Sequence, residues 1–456
     1  MIIPIAKTAK ASLPMDYRPI SLLSIVGKIA EAYVVEQLRG HLDMRLPSWQ
    51  YGFRSKRGLT DALIGVETCV VEAWGECKAS KKPTSVAVLS LHLSKTFDTL
   101  PHHYILQQLH RKHGLHGPPL KWFSSYLRDR DFVVKVGGCT SSVHAIRSGV
   151  PQGSILGPLL YIAATAAIGD LSVSPGTRIE GYADDLLLIK PMLNEKSASD
   201  FNNDISMLNK YFTDINMTFN HSKTKLVLMS LSHRTGRRDL GTGIVCGGQL
   251  IIPSQQLKYL GVQLDERLSM RENALSAVAR VRKCLFASLI TLQRAGQRPL
   301  LVHIYRQILR PILTHGIEIS WGISKTVDAI FSRTDKLAAR LAIGSSWLCY
   351  TEALAQLRVP GLEIVSQRRR LAALHSYINC YCDAPTDSLR PIAARRSTRL
   401  GNGNQYGVFH GSAEKISRCK KCALRRACDQ WNRLDESVVR IKKSSTFKRL
   451  LRRLTN

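Results

Sequence analysis

Two adjacent carboxylates, Asp184 and Asp185, lie in the tetrad Tyr182-Ala183-Asp184-Asp185 between two strand-like runs, 178–182 and 186–190. That pattern presents paired hard oxygen donors at the tip of a β-hairpin, the ligand type that Mg²⁺-assisted phosphoryl transfer uses. An Asp-Asp pair alone is more often an ordinary solvated turn. Two upstream segments change the balance. The first is Ser148-Gly149-Val150-Pro151-Gln152-Gly153-Ser154-Ile155-Leu156-Gly157-Pro158, a turn that opens an apolar helix, with glycines where backbone must approach a neighbour closely. The second is a strand that ends in Leu91-His92-Leu93-Ser94-Lys95-Thr96-Phe97-Asp98.

These segments need a scaffold, and the pattern along the chain supplies one. A β-like run at Ile2 to Ile5 precedes a helical pattern through Ile25, Ile29, Val34 and Leu38. A second helix is expected from Asp61 through Leu63, Val66 and Val70, after the cationic loop Gln50-Tyr51-Gly52-Phe53-Arg54-Ser55-Lys56-Arg57-Gly58. Ser85 to Leu93 reads as a buried strand, 102–130 as helix broken at Gly117-Pro118-Pro119, and 131–146 as a hairpin around Gly137-Gly138. Helix is expected over 199–216, strand over 226–229, and a turn between strands over 256–265. From about residue 270 the period changes: Leu275, Val278, Val281, Leu285, Leu289 and Leu292 form the stripe of an amphipathic helix, and strand signals become rare.

Composition narrows the partners. The 456 residues include 65 Lys and Arg against 34 Asp and Glu, a formal net charge of +31. Such a surface attracts polyanions, nucleic acid first and an anionic membrane second. Helices beyond about 345 look markedly cationic, with Arg368-Arg369-Arg370, Arg395-Arg396, Lys442-Lys443 and Lys448-Arg449. The longest apolar stretch, Ile155 to Ile168, is shorter than the ~18–20 residues that cross a bilayer, so no membrane span is expected. The first residues show no basic leader ahead of an apolar run, so no secretory signal is expected either. The 11 Cys fit a reducing compartment. Only Cys419, Cys422 and Cys428 cluster; they could supply three zinc ligands, with His410 or a more distant group as the fourth, or be small buried side chains.

In order and spacing the carboxylate tetrad, the Gly149–Gly153 turn and the strand before Asp98 resemble the palm of a reverse transcriptase of the non-LTR (LINE-type) retrotransposon family. The resemblance extends over nearly the whole chain, to Trp431-Asn432-Arg433-Leu434 and Phe447-Lys448-Arg449. It implies an α+β right-hand polymerase: fingers over 1–84, the first palm strand in 85–109, a fingers/palm connection over 110–147, the rest of the palm over 148–265, a helical thumb over 266–345 and a basic helical region over 346–456. The implied activity is RNA-directed DNA synthesis, extending a DNA primer on an RNA template with deoxynucleoside triphosphates and two Mg²⁺ ions. The nucleus is the expected compartment. Such proteins usually carry an upstream endonuclease domain, which this sequence is expected to lack.

The resemblance also implies residue roles. Asp184 and Asp185 would bind metal, Gln152 and Gly153 would contact template base and nucleotide, and Phe97 would exclude a ribose 2′-hydroxyl. Arg54 and Lys7 match basic finger residues that contact triphosphate or template, and Lys223 a lysine that protonates the leaving pyrophosphate. Tyr259-Leu260-Gly261 matches the primer grip. Outside the resemblance Phe97 reads as core, Arg54 and Lys7 as surface cations, and Tyr259-Leu260-Gly261 as a hairpin. One departure dominates: His92 stands where the family has a metal-binding Asp, and neutral imidazole is a poor Mg²⁺ ligand that cannot bridge two ions. Asp98 is not expected to substitute, since extended chain would carry it up to ~20 Å further along. Milder departures are Thr96 for Ala, Leu59 for Ser, and a segment 162–169 longer by about three residues, close to one helical turn. A catalytically inactive nucleic-acid-binding protein is therefore the alternative reading.

Overall fold

The computed structural model describes residues 1–80, 85–94, 96–231, 243–294, 297–345, 347–387, 389–391, 405–408, 413–414 and 416–454, with the side chains of 15 and 286–294 set aside. Arg395 and Arg396 lie outside this set, as does His410.

A hairpin of β1 (Ile2–Ala6) and β2 (Tyr17–Ser21) leads into α1 (Ile25–Asp43), whose first turn is closed by Ser24 Oγ accepting from Gly27 N–H. Helix α2 (Leu59–Ala79) follows, and Asp61 caps its start by accepting from Gly58 N–H at 2.8 Å. The helix expected from Asp61 is present, and it is buried almost all round, because the sheet covers one side and C-terminal helices cover the other.

Strand β3 (Ser85–Ser94) is central. After it come the short α3 (Thr96–Thr99), α4 (His102–Arg111) and α5 (Gly117–Leu127). A broken hairpin pairs β4 (Arg130–Phe132) and β5 (Lys135–Val136) with β6 (Cys139–Thr140) and β7 (His144–Ile146), β5 with β6 and β4 with β7. Helix α6 (Gly157–Ala164) stops at Thr165, and a 3₁₀ stretch, Thr165–Asp170, carries the rest of the lengthened segment in place of another α-turn. Strands β8 (Arg178–Tyr182) and β9 (Asp185–Met192) form the carboxylate hairpin, followed by α7 (Glu195–Asp214), β10 (Thr218–Phe219), β11 (Lys225–Met229), the pair β12 (Ile244–Cys246) and β13 (Gln249–Ile251), and the pair β14 (Gln256–Tyr259) and β15 (Val262–Asp265).

The main sheet is antiparallel, in the order β10-β3-β9-β8, with β11 also on β3. The first seven residues of its central strand are all buried, because both faces of the sheet are covered there. Alternate residues go to different cores: Val86 and Val88 join α2 and the C-terminal helices, whereas Ala87, Leu89 and Leu91 pack with residues of α1 and of α4 to α7. The α+β expectation is met.

Beyond Asp265 the described chain is mostly helical. Helices α8 (Arg271–Arg294), α9 (Arg298–Ile304), α10 (Arg310–Thr314), α11 (Ile317–Ser320), α12 (Lys325–Ile343) and α13 (Tyr350–Gln356) surround a third core that includes Val281, Tyr305, Leu313 and Phe331. The last helices, α14 (Leu362–Ile378), α15 (Ala423–Trp431), α16 (Glu436–Val439) and α17 (Ser444–Leu454), do not form an appendage. Leu374, Trp431 and Phe447 share one core with α2 and the sheet. Buried Glu67 of α2 ties them in, accepting from Arg418 Nη2 and from the Ala423 backbone N–H, each at 2.7 Å. Cys419, Cys422 and Cys428 are buried in this core; burial pushes the Cys419 thiol up to about 11 and the Cys428 thiol up to about 12. They pack there as neutral side chains. Among the described residues no helix is long and apolar enough to cross a membrane.

Candidate active site

The β8–β9 hairpin closes through the pair Tyr182↔Asp185, leaving Ala183 and Asp184 as a two-residue loop. Ala183 adopts φ 59°, a left-handed conformation unusual for a residue with a Cβ. The fingers loop holds it there. Gln50 Oε1 accepts from Ala183 N–H at 2.8 Å and Gln50 Nε2 donates to Ala183 O at 3.1 Å. Gly52 lies so close that an added Cβ would sit 2.4 Å from Ala183 N, so only glycine fits. Sequence reading noted Gln50 and Gly52 only as neighbours of Arg54, since nothing in their order shows that they clamp a hairpin 130 residues away.

Position 92 falls directly opposite Asp185 in the β3–β9 register. His92 Nδ1 is 3.0 Å from Asp185 Oδ1, and both side chains are about one third exposed, 31% and 36%. Thr96 Oγ1 donates to Asp184 Oδ2 at 3.3 Å. Two departures from the family pattern thus each engage one carboxylate, a relation that the spacing of 92 and 96 did not reveal. Burial first, and then the Asp185 charge, push the Asp184 carboxyl above its usual range. Such a carboxylate pair suits one hard cation. The donor set does not fit a two-ion cage: the third position offers an imidazole already turned to Asp185, and among the described residues no three metal-binding side chains converge.

Phe97 packs on Tyr161 with ring centroids 4.7 Å apart and the rings tilted by 36°, and meets Phe53 edge-on at 6.2 Å. Asp98 is nearer to the site than an extended chain would carry it, because residues 96–99 coil into α3. Its carboxylate is engaged by Gln152 Nε2, at 2.8 and 3.0 Å to the two oxygens. Gly149, with φ 80°, packs on the same short helix, where a Cβ would sit 2.6 Å from the Asp98 and Phe97 carbonyl oxygens. Gly153 packs similarly on the Ser21 carbonyl. The close approaches that these glycines permit are therefore to protein backbone: α3 on one side and β2 on the other.

The remaining candidates divide. Tyr259 is buried at the end of β14, and Leu260 and Gly261, both with positive φ, make the tight turn to β15; His315 Nε2 donates to Leu260 O at 2.7 Å, fixing this turn to the helices after α10. The Asn220–Lys223 turn joins the sheet where Asn220 N–H donates to His92 O at 2.7 Å, and leaves Lys223 exposed. Arg54 does not project into the site. Its guanidinium donates to Pro47 O at 2.7 Å, Gln50 O at 3.2 Å and Asp43 O at 2.6 Å, and burial lowers it to about 10. It braces the fingers loop against the end of α1, which the sequence could not distinguish from a ligand contact. Lys7 lies just beyond β1, exposed, with its N–H donating to Asp16 O.

Residues 5–264 match the family described as reverse transcriptase (RNA-dependent DNA polymerase). Curated relatives include the RNA-directed DNA polymerase from mobile element jockey of Drosophila melanogaster, 29% identical over 79% of this chain and 39% of the relative. Another is the probable RNA-directed DNA polymerase from transposon X-element of the same species, 28% identical over 73% of this chain and 36% of the relative. The chain thus spans about two fifths of the length of these proteins. Among solved structures, telomerase from Candida albicans aligns over 77% of this chain and 56% of its own, with 14% identity and a TM-score of 0.39. With the family match covering more than half of the chain, and with a carboxylate hairpin and its opposing strand set in register, the chain belongs to the reverse transcriptase family and is similar to proteins of non-LTR retrotransposons.

Proposed function

We propose that this chain is the polymerase portion of a non-LTR retrotransposon protein, built to extend a DNA primer on an RNA template with deoxynucleoside triphosphates, and that His92 has silenced it. The observation that carries this reading is the His92–Asp185 pair: a side chain at the position of a third metal carboxylate, in register with Asp185 and with its Nδ1 3.0 Å from that carboxylate. Asp184 and Asp185 would hold one Mg²⁺, which when bound neutralises charge on the phosphate oxygens. The residues around them shape the site: Phe97 on Tyr161 forms a wall for the incoming sugar, and the Tyr259–Gly261 turn lies against the primer side. Lys223, exposed on its turn, would give a proton to the leaving pyrophosphate. Gln152 holds Asp98 and so fixes the turn that faces the templating base. A compartment holding the DNA target, the nucleus, follows from this activity.

Primer extension on a primed RNA template with Mg²⁺ tests the proposal. His92→Asp is expected to extend the primer at least roughly 10³-fold faster than the unaltered chain, since positioned charge at the reacting oxygens supplies most of this catalysis. Addition of EDTA or Asp184→Asn should abolish the gain. Efficient extension by the unaltered chain would falsify the proposed silencing.

A second reading has its own support. The site residues at 92 and 96 engage the carboxylates while the fold and the +31 charge persist, which suits a protein that binds nucleic acid without chemistry. Salt-sensitive RNA binding with no extension by either form would favour it.

A further inference from the structure

Helix α5 divides its aromatic side chains between two edges. Phe123 and Leu127, four residues apart, pack into the core, and Phe123 is 1% exposed. Trp122 and Tyr126, also four apart, share the adjoining edge. Their rings are parallel to within 12°, with centroids 5.4 Å apart, while Phe123 meets Trp122 edge-on at 5.2 Å. Trp74 and Trp431 are each 1% exposed, whereas Trp122 remains 36% exposed. Tyr126 covers one face of the Trp122 indole, so that exposure falls on the other face and the rim.

The ring beneath Trp122 is fixed from several sides. Tyr126 Oη donates to Glu31 Oε1 at 2.6 Å, and Glu31, buried on α1, also accepts from the Ile155 backbone N–H at 2.7 Å. With the Tyr126 proton given to Glu31, Ser154 Oγ donates to Tyr126 Oη at 3.2 Å. The Arg130 guanidinium lies 4.9 Å from the Tyr126 ring centroid and donates to the Tyr126 carbonyl at 3.2 Å. Tyr126 is thus tied to α1, to β4 and to the turn that carries Gln152. An indole held flat, with one face packed and the other in water, matches the π-face of an unpaired base.

We propose that Trp122 is a stacking platform for an unpaired base of single-stranded RNA. The inference rests on the nucleic-acid reading above and adds a location. Tyr126 joins Trp122 to Ser154, two residues from Gln152, so a base stacked here lies on the approach to the turn assigned to the templating base. Stacking tolerates any sequence, because every base has a π-face. The surface around the ring carries mixed charge: Lys121 and Arg128 are exposed on and just past α5, and so are Asp129 and Asp131. Contact with the base, and not pairing with phosphate, is therefore what this edge of the helix offers.

Fluorescence anisotropy of a labelled oligouridylate of about twenty nucleotides, titrated with the full chain across a range of KCl, tests the platform. Trp122→Leu keeps apolar cover over Phe123 but removes the flat ring, and should weaken binding roughly 5- to 100-fold; Trp122→Phe should weaken it by no more than about threefold. The log–log salt slope should not move, since each lost phosphate contact would shift it by about 0.7. An abasic strand of the same length should bind Trp122→Leu and the unaltered chain alike, which also shows that the variant is folded. Trp347→Ala removes an aromatic side chain that is 93% exposed beyond α12, and should leave affinity within about twofold. The platform is overturned, with RNA binding left standing, if Trp122→Leu holds the oligouridylate as tightly as the unaltered chain, loses the abasic strand equally, or loses no more than Trp347→Ala. No binding by the unaltered chain overturns the nucleic-acid reading along with it. Self-association that Trp122→Leu abolishes in sedimentation, with RNA affinity unchanged, assigns the ring to a second copy of the chain instead.

Discussion

One side-chain amide, that of Gln50, satisfies both backbone groups of Ala183, accepting from its N–H at 2.8 Å and donating to its carbonyl at 3.1 Å. This bidentate contact joins the fingers loop to the loop residue that sets Asp184 at the hairpin tip. It holds a left-handed residue other than glycine in place, a conformation that costs of the order of 1 kcal/mol unless its surroundings impose it.

Removing the clamp should therefore be felt in stability and in geometry. Gln50→Ala removes the partner of three buried backbone groups, Ala183 N–H, Ala183 C=O and Gly52 N–H, and is expected to cost about 2–4 kcal/mol in urea unfolding. Gln50→Glu keeps the acceptor for Ala183 N–H but sets an oxygen against its carbonyl, so it should recover no more than half of that loss. In the His92→Asp background both should also slow primer extension. A Gln50→Ala protein as stable as the parent would show that the contact is incidental.

Thr96 offers a finer test of the same site. Its hydroxyl occupies one oxygen of Asp184 across 3.3 Å, a long and weak hydrogen bond. In the His92→Asp background, Thr96→Ala is expected to lower the Mg²⁺ concentration for half-maximal extension by up to roughly tenfold, as outer-shell changes do at metal sites. Stability should move by less than about 0.5 kcal/mol. A higher Mg²⁺ requirement would show that the hydroxyl instead orients Asp184 productively.

Glu180 makes stability depend on pH in the direction opposite to most carboxylates. It is buried behind the hairpin, where Cys69 Sγ donates to its Oε1 at 3.1 Å and the Tyr51 hydroxyl lies beside it. Burial pushes its carboxyl from the ordinary 4.5 up to about 7. Between those values the folded chain holds the proton and the unfolded chain does not. Stability from this group is therefore complete below pH 4.5 and is lost as pH rises towards 7, on the order of 3 kcal/mol in all. Glu180→Gln should flatten that part of the pH profile in urea unfolding; identical profiles would mean that Glu180 stays ionised in the fold.

Glu67 tests whether the C-terminal helices are integral. Glu67→Ala strands Arg418 and the Ala423 N–H inside the core and is expected to cost about 3–5 kcal/mol, whereas Glu67→Gln, which keeps acceptor capacity, should cost less. Limited proteolysis after Arg and Lys in 416–454 should accelerate in the Ala variant. Unchanged protection would mean that the apolar contacts alone dock this region.

Much of the scaffold was legible because it is written in local chemistry. Short apolar runs bounded by turn residues announce β3 and the β8–β9 hairpin, and a 3.6-residue stripe announces α8; the spacing of Gly149, Asp184 and Tyr259 marked the family. Less legible was any property that depends on two distant segments meeting. Arg54 reads as a free cation until the carbonyls at the end of α1 are seen around it. That Gln152 also holds Asp98 is invisible until the two are found side by side.

The sequence by itself determined the α+β class, the family, the carboxylate pair and the replacement at position 92, because each is carried by residue identity at short range. Tertiary structure alone decided that His92 faces Asp185, that Thr96 reaches Asp184, that Gln50 clamps Ala183, and that Arg54 braces a loop. Those outcomes are set by sheet register and by packing across tens to hundreds of residues, and a hydrogen bond or a like-charge cluster exists only once the chain has brought its members within a few ångströms.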